Sequence, residues 1–285
     1  KMQEGLLQIG NALSSGESSI DNFIKKVSYM KSKKQLYVLK LNFDLIDKEL
    51  IIDTKEEMDK NTAKKYNFIG STGARTAQWY ASSDKIDYHL SETMKELAKK
   101  DLGEELNEKI QRVVEIFFYN LEGKVENKYA YLLDLKKLGI SDKSIEEIYE
   151  ESKDDSNVGK SMLGNLVKEF ESYLKNNKDQ NLKDFGLFIV QIDGKTISQN
   201  EKYINEVIES KSPKGNGKLT SEGGICSICQ TMDNLTGDLT KTQIKLYTTN
   251  QIIFASQLDK GNYFKNMQLC ESCLMKLQAG ENYTI

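Results

Sequence analysis

The feature that most constrains the fold of this chain is two Cys-x-x-Cys pairs near its C-terminal end. Cys226 and Cys229 form the first pair, Cys270 and Cys273 form the second, and the sequence contains no other cysteine. Each pair directs two thiolates at one metal ion, and two pairs complete a closed tetrahedral site. The spacing therefore predicts one structural Zn²⁺ site within a small C-terminal module.

Other uses of the four cysteines are two disulfides, free thiols or an iron–sulfur cluster. A reducing compartment disfavours disulfides, and the paired spacing disfavours isolated thiols. An iron–sulfur cluster accepts the same four ligands, and the spacing leaves that alternative open. Between the pairs, residues 244–248 and 252–255 flank Thr249-Asn250-Gln251, a pattern that predicts a hairpin.

Length and composition set the broad class of the protein. The chain has 285 residues, enough for one large domain or two modest ones, and 38% of them are hydrophobic. We find no apolar run long enough to cross a bilayer and no secretory leader, so we expect a cytoplasmic protein without a membrane partner. Lys1 before Met2 predicts that a short remnant precedes the natural start of the protein.

The first part of the chain mixes helix and strand patterns. Alternating β-branched, aromatic and polar residues predict strands, and serines before an apolar run predict a helix start. Helices are predicted at 5–13 and at 20–30 after Ser18 and Ser19, a hairpin joins 36–43 to 49–53, and a strand at 66–70 leads into a loop at 71–76.

The middle of the chain carries two helical apolar stripes, at 106–121 and 162–174, with apolar residues mostly three or four positions apart. Ser144 and Glu147 match a capping box for a short helix between them. We therefore predict a helical insertion at about 90–176. The run 185–192 predicts a buried strand, and the next helix starts near Ser198.

These patterns predict an α+β fold class with three parts. A mixed N-terminal domain covers residues 1–209 and includes the helical insertion. Residues 210–224 contain lysine, serine, glycine and the only proline, which is a linker composition. Residues 225–285 form the four-cysteine zinc-finger module.

Several segments resemble the large-subunit family of type I-B CRISPR Cascade complexes. The resemblance is carried by Tyr247-Thr248-Thr249-Asn250, by 254–260, by Tyr263-Phe264-Lys265-Asn266, by Cys270-Glu271-Ser272-Cys273 and by a helix predicted at 274–280. Weaker matches are Leu6-Leu7-Gln8-Ile9-Gly10 and the strand ending at Asn42-Phe43-Asp44. Because members of that family are longer, the resemblance implies an N-terminal fragment that lacks a helical C-terminal part.

The resemblance implies a non-catalytic subunit of a crRNA-guided surveillance complex. Such a subunit contacts the crRNA and the backbone subunits, inspects the protospacer-adjacent motif of target double-stranded DNA, and helps recruit a separate helicase-nuclease. In these complexes base pairing with the guide reads most of the sequence, and protein reads only a short duplex motif.

Three groups of residues are candidate nucleic-acid contacts. They combine lysine or arginine with hydroxyl, amide or glycine backbone groups, which suit phosphates and base edges. The first group is the loop and its neighbours, Lys64, Lys65, Ser71, Thr72, Gly73, Arg75 and Gln78; the second is Lys211, Lys214 and Lys218; the third is Lys260, Lys265 and Asn266.

Each group has a plainer interpretation. The first is then an ordinary loop whose neighbour Trp79 packs in the core, the second a solubilising linker, and the third a cover over the metal site. The net charge of −3 also favours a structural zinc ribbon that binds protein without touching nucleic acid.

Enzymatic interpretations are weaker. Gly159-Lys160-Ser161 ends like a phosphate-binding loop, but Asp154 replaces the required earlier glycine. A single histidine, His89, does not support a histidine-rich nuclease centre. The acidic residues at 146–155 are typical of a solvated helix face rather than a metal cluster. A metal-dependent nuclease remains the third function class.

Overall fold

The computed structural model describes residues 2–13, 20–72, 77–211, 224–232, 235–237, 239, 242, 253 and 256–284. It divides into two compact units, one made of Lys1–Ile24 and Asn205–Ile285 and the other of Lys25–Ile204. In the described part of the chain, no helix is long and apolar enough to cross a membrane.

The larger unit is built on a mixed β-sheet. Strand β3 (Tyr37–Asp44) pairs antiparallel with β4 (Glu49–Glu57) and parallel with β8 (Phe185–Ile192). The predicted hairpin and the predicted strand at 185–192 are therefore confirmed. Two short strands, β5 (Ser82–Ser83) and β9 (Lys195–Thr196), complete the sheet by pairing with β8.

The sheet is accompanied by short elements along the chain. Before β3 lies a small hairpin, β1 (Met30–Lys31) and β2 (Lys34–Gln35), and after β4 lies helix α2 (Thr62–Lys65). The remaining helices and strands of this unit are α3 (Ile86–His89), α4 (Glu92–Leu97), α5 (Glu104–Phe117), β6 (Phe118–Asn120), β7 (Tyr131–Leu133), α6 (Ile145–Ser152) and α7 (Val158–Lys178). Most of helix α8 (Glu201–Lys211) is assigned to the smaller unit.

The two predicted apolar stripes form helices α5 and α7. Ile110, Val113 and Phe117 on α5 are buried, and Phe117 packs on Phe43 of β3 with ring centroids 5.1 Å apart. The capping box is also confirmed, because Ser144 Oγ accepts from the Glu147 amide and the Glu147 carboxylate accepts from the Ser144 amide. The insertion additionally contains the β6–β7 hairpin.

Two sequence predictions are wrong. Instead of a helix at 20–30, only Ile20–Phe23 is helical, and the Lys25 amide donates to the Phe68 carbonyl at 2.8 Å. The segment 66–70 is not a strand, because Asn67 has a φ of 47° and its side-chain amide donates to the Ser198 carbonyl at 2.7 Å. Long-range hydrogen bonds replace both predicted local structures.

The smaller unit is organised around the cysteines. Helix α1 (Met2–Leu13) and helix α9 (Glu271–Thr284) belong to it, together with the short strands β10 (Leu235–Thr236) and β11 (Leu269–Cys270). The helices predicted at 5–13 and 274–280 are confirmed. The hairpin predicted at 244–255 lies outside the described residues, and the domain boundaries at 209 and 225 stay predictions.

The α+β fold class is confirmed by this mixture of helices and sheets. The single histidine takes part in the core of the larger unit. His89 is fully buried, its Nε2 lies 3.1 Å from the Phe188 carbonyl oxygen, and its Nδ1 lies 3.1 Å from Thr93 Oγ1. Because a carbonyl only accepts, Nε2 carries the proton and Nδ1 accepts from the threonine hydroxyl. The neutral ring is thus the form that fits.

We predict that this histidine makes the larger unit sensitive to acid. Burial lowers the pKa of His89 from 6.5 to about 4, so below pH 6.5 the unfolded chain binds a proton that the folded chain excludes. The free energy of unfolding should fall by about 2 kcal/mol between pH 6.5 and pH 5 from this group alone. Denaturant unfolding across that range measures the slope.

The control is His89→Gln, which removes the titrating ring while keeping a side-chain amide. It should be less stable than the wild type at pH 7 and should have a smaller dependence on pH. Equal slopes for the two proteins would contradict the prediction.

Candidate metal centre

The first cysteine pair sits in a tight turn of the smaller unit. The Cys226 amide donates to the Thr231 carbonyl at 2.7 Å, and the Gln230 amide donates to the Cys226 carbonyl at 3.0 Å. Gln230 adopts a left-handed conformation, with a φ of 63°, which reverses the chain directly after Cys229. This geometry turns both thiols of the pair to the same side.

The second pair lies where strand β11 passes into helix α9. Cys270 is the last residue of β11, paired with Leu235 of β10, and Cys273 is in the first turn of α9. The two pairs are joined because the Ser227 amide donates to the Gln268 carbonyl at 2.8 Å and the Gln268 amide donates to Ser227 Oγ at 3.2 Å. These bonds align the first turn beside the second.

The four sulfur atoms meet at one point. All four Sγ atoms lie within 4.8 Å of one another, and Cys229 Sγ is 3.5 Å from Cys270 Sγ. Tetrahedral zinc with bonds of about 2.3 Å places its sulfur ligands about 3.8 Å apart, which these separations match. The cysteines are free thiols rather than disulfides. The residues therefore fit one metal ion with four thiolate ligands.

The surroundings of the thiols differ sharply. Hydrogen bonds from the Thr231 hydroxyl, 3.2 Å away, and from the Thr231 amide lower the pKa of the exposed Cys229 to about 6. Burial raises the pKa of the Cys270 and Cys273 thiols. A bound cation would offset that burial cost, so metal binding is coupled to thiol deprotonation.

The cysteines are also part of the hydrophobic core of the smaller unit. Cys226 and Cys273 are buried, and Leu6 from helix α1 joins the same cluster. The other buried members are Leu235, Leu239, Leu269, Cys270, Leu274 and Leu277. The metal ligands and the packed side chains of this unit consequently form a single structure.

Two glycines allow helices α1 and α9 to approach backbone to backbone. A Cβ atom on Gly10 would lie 1.8 Å from the Lys276 carbonyl oxygen, and a Cβ atom on Gly280 would lie 2.1 Å from the Leu6 carbonyl oxygen. Both distances are far shorter than any real contact, and the obstructing atoms are backbone. Only glycine at both positions permits this crossing.

The described residues of the predicted nucleic-acid loop differ in burial. Thr72 and Gln78 are buried and bonded to each other, because the Thr72 amide donates to Gln78 Oε1 at 2.9 Å. Ser71 is exposed, and Trp79 is buried against Tyr203 as in the plainer interpretation. Gly73 and Arg75 lie outside the described residues.

The lysines of that group have different surroundings. Lys64 and Lys65 are both exposed on helix α2, and Lys65 Nζ lies 2.7 Å from Glu56 Oε1. Burial opposes ionisation of Glu56, but hydrogen bonds from Lys65, Tyr66 and Lys40 outweigh it and lower the pKa of Glu56 to about 2. Lys65 is thus held in a charged network.

The other described candidates belong to the smaller unit. Lys211 is the last residue of α8, and Lys265 and Asn266 are exposed at the end of a short helical segment. Lys214, Lys218 and the side chain of Lys260 lie outside the described residues. Nucleic-acid contact by any of these residues stays a prediction.

Sequence reasoning did not identify Thr231, Gly10 or Gly280 as parts of the site. Thr231 has a detectable signal, since a hydroxyl two residues after a Cys-x-x-Cys pair can donate to its second sulfur. The glycines have a weaker one: glycine is unfavourable inside helices, so its presence in α1 and α9 indicates close packing.

Comparison with protein-family models finds two adjoining matches. Residues 2–209 match the N-terminal domain of the CRISPR-associated protein TM1802 family, and residues 223–285 match its central domain. Together these matches cover nearly the whole chain, including all four cysteines. Comparisons with curated proteins and with solved structures find no match.

We predict that the protein binds one zinc ion per chain and that Cys273→Ser abolishes this binding, because a hydroxyl is a poor substitute for a buried thiolate. Atomic absorption of the purified protein measures the stoichiometry. The matched control is Ser272→Ala, an exposed residue between the two ligands of the second pair. Full zinc content in Cys273→Ser would contradict the assignment, and iron would indicate the cluster alternative.

We predict that Gly10→Ala and Gly280→Ala destabilise the smaller unit, because each added methyl group meets a backbone carbonyl oxygen. The expected loss is about 1–3 kcal/mol or more, measured by denaturant unfolding. Gly5→Ala in the same helix is the control, since nothing lies within 4 Å of its Cβ position. It should stabilise α1 slightly. Equal effects at Gly5 and Gly10 would refute the close crossing.

Proposed function

The chain belongs to the CRISPR-associated TM1802 family, and from this membership we propose that it is the non-catalytic large subunit of a type I-B CRISPR-Cas surveillance complex. In this proposal it inspects the protospacer-adjacent motif, binds target double-stranded DNA and helps to assemble the crRNA complex. The observation that carries the proposal is the match of both family domains, with the four-thiolate centre inside the second one.

Family membership establishes the general class of the protein. The protein is a CRISPR-associated large subunit, and the resemblance seen in the sequence is confirmed at that level. A guide RNA supplies most of the sequence recognition in such complexes, so protein subunits have to grip the nucleic-acid backbone and read a short motif. The proposed partners are the crRNA, the backbone subunits, target DNA and a separate helicase-nuclease.

The proposed metal is Zn²⁺ in a structural role. Four thiolates are a ligand set that zinc favours, and they leave no position for a substrate or an activated water. When bound, the ion would stabilise the turn at Cys226 and Cys229 against the β11–α9 junction. The four cysteines would then stabilise the fold and take no part in a reaction.

We propose no catalytic role for the chain. Among the described residues, the four cysteines form the one group of three or more potential metal ligands that lie together. The buried His89 is engaged on both ring nitrogens, which removes it from proton transfer to a substrate. A cleavage activity that required Mg²⁺ or Mn²⁺ would support the nuclease class instead.

The proposed DNA-inspecting surface includes the loop around Arg75. Its neighbours Lys64 and Ser71 are exposed, and the bonded pair Thr72 and Gln78 fixes the two ends of the loop. Arginine forms two parallel hydrogen bonds with a guanine edge or a phosphate, which lysine cannot do. Thr72 and Gln78 are therefore assigned a structural role, and DNA contact is proposed for Lys64, Ser71 and Arg75.

The second candidate function is a structural zinc-ribbon module that binds only protein. The net charge of −3 favours it, because a large positive field is absent. The two candidates differ in their response to salt: contacts with phosphate weaken steeply as salt rises, whereas an apolar protein interface does not.

We predict that Arg75→Ala weakens binding of the chain, assembled with crRNA and backbone subunits, to duplex DNA that carries the correct adjacent motif. The expected loss is roughly 5- to 100-fold, the value of one bidentate base contact. Fluorescence anisotropy with labelled duplexes, one with the motif and one without, measures it. The loss should be larger for the duplex with the motif.

The control is Arg112→Ala, which changes the only other arginine of the chain, exposed on helix α5. It should leave DNA binding unchanged. Equal losses in the two variants would remove the loop from the proposal, and assembly without any salt-dependent DNA binding would favour the protein-only function.

A further inference from the structure

The β1–β2 hairpin carries an unusual concentration of lysine. Between Asp21 and Asp44 the sequence contains six lysines and no acidic residue. Three of them, Lys31, Lys33 and Lys34, lie on the hairpin and are exposed. Tyr29 and Met30 beside them are 43% and 45% exposed. A chain with a net charge of −3 thus presents a cationic and partly apolar projection.

The hairpin turn is built from residues that are unsuited to it. Ser32 and Lys33 both have positive φ, 51° and 65°, as a type I′ turn requires. That turn strongly prefers Asn-Gly or Asp-Gly, and the β8–β9 hairpin of the same unit uses Asp193-Gly194. The unfavourable turn residue Lys33 is therefore particular to the β1–β2 hairpin.

The pairing register of the two strands also destabilises the hairpin. Lys31 and Lys34 stand directly opposite each other across the two strands. Like charges in that position are destabilising, and no acidic side chain relieves them, because Lys31, Lys33 and Lys34 have no ion-pair partner among the described residues. A bound polyanion would relieve this repulsion.

The hairpin is nevertheless firmly attached to the sheet. Gln35 Nε2 lies 2.7 Å from the Met58 carbonyl oxygen and 2.9 Å from the Leu36 carbonyl oxygen. The Leu36 amide donates to the Tyr29 carbonyl at 3.0 Å, and the Leu36 side chain is buried. A projection anchored in this way holds its lysines in place before a ligand binds.

Two further lysines extend the positive surface beside the hairpin. A cleft of about 470 Å³ lies between Lys31, Lys85 and Lys183, and Leu36, Phe185 and Phe188 contribute to its walls. Lys85 and Lys183 are exposed and, within the described chain, have no ion-pair partner. Asp84 and Asp87 also line the cleft. These two carboxylates balance the charges of Lys85 and Lys183, so the excess positive charge is that of the hairpin lysines.

We propose that the β1–β2 hairpin binds the phosphodiester backbone of a nucleic acid through Lys31, Lys33 and Lys34, with Lys85 and Lys183 continuing the contact. The proposal rests on the function proposed above and assigns nucleic-acid binding to residues other than those of the loop at Arg75. Lysines bind phosphates without reading sequence, and exposed Tyr29 offers a ring on which a base can stack. DNA duplex and single-stranded RNA share this backbone chemistry.

The test compares the wild-type chain with a triple variant, Lys31→Gln, Lys33→Gln and Lys34→Gln. Anisotropy of a labelled DNA duplex and of a labelled RNA strand is followed over a salt series. For the nucleic acid that the hairpin binds, the slope of log affinity against log salt should become less negative by about 2–3. The control triple variant changes Lys48, Lys160 and Lys195, which are exposed on other elements, to glutamine. It should keep the wild-type slope.

A single variant separates binding from folding. Lys33→Gly places the preferred residue at the strained position, so the melting temperature should rise by roughly 2–4 °C while nucleic-acid affinity falls. Ser32→Asn keeps every lysine and should retain wild-type affinity. Loss of affinity in Ser32→Asn, or none in Lys33→Gly and in the triple variant, would overturn the proposal.

The outcome also separates this proposal from the proposed function. If the wild-type chain, alone and assembled, binds nucleic acid and the hairpin variants bind equally well, only the hairpin assignment fails. If the wild-type chain binds none in either state, the proposed function fails with it. If the triple variant loses assembly with protein subunits in the absence of nucleic acid, the hairpin is a protein interface and the proposal is wrong.

Discussion

The smaller unit depends on holding four thiols at one point. Three of them, in Cys226, Cys270 and Cys273, are buried members of the unit's apolar core. Buried thiols resist ionisation, and four thiolates within 4.8 Å would repel one another without a cation. Metal binding would therefore be coupled to formation of the core, because a bound cation offsets both the burial of the thiols and their mutual repulsion.

The same constraint explains why the first helix of the chain packs against the last described one. A small unit gains substantially from each added apolar face, and Leu6 of α1 supplies one. The cost is the entropy of bringing distant parts of the chain together, which rises only slowly with the length of the chain between them. Gly10 and Gly280 make the contact close enough to offset that cost.

Local patterns predicted the elements whose stabilising contacts are local. The β3–β4 hairpin follows from alternating residues and a short turn, helix α6 from its capping box, and the metal site from the spacing of the cysteines. Family resemblance, rather than composition, pointed to a CRISPR-associated protein.

Two segments whose structure depends on distant partners were predicted wrongly. The segment after Phe23 is not helical because the Lys25 amide bonds to Phe68, and 66–70 is irregular because Asn67 bonds to Ser198. No window of sequence around 25 or 67 contains those partners. The β1–β2 hairpin was missed for a different reason: Ser32-Lys33 is not a recognised type I′ sequence, so the strongest short-range signal for a hairpin is missing.

Net charge was a poor guide to function because charge in this chain is arranged locally. Lys40 is neutralised by Asp53 and Glu56, at 3.1 and 2.9 Å, and Lys65 is bonded to the same Glu56. A few residues earlier in the sequence, the hairpin lysines lie opposite one another instead of opposite acids. The net charge of −3 is summed over the whole chain and describes neither region. The fold pairs Lys40 and Lys65 with acidic side chains but, within the described chain, leaves the hairpin lysines unpaired on a strained turn. Stability alone does not explain that difference.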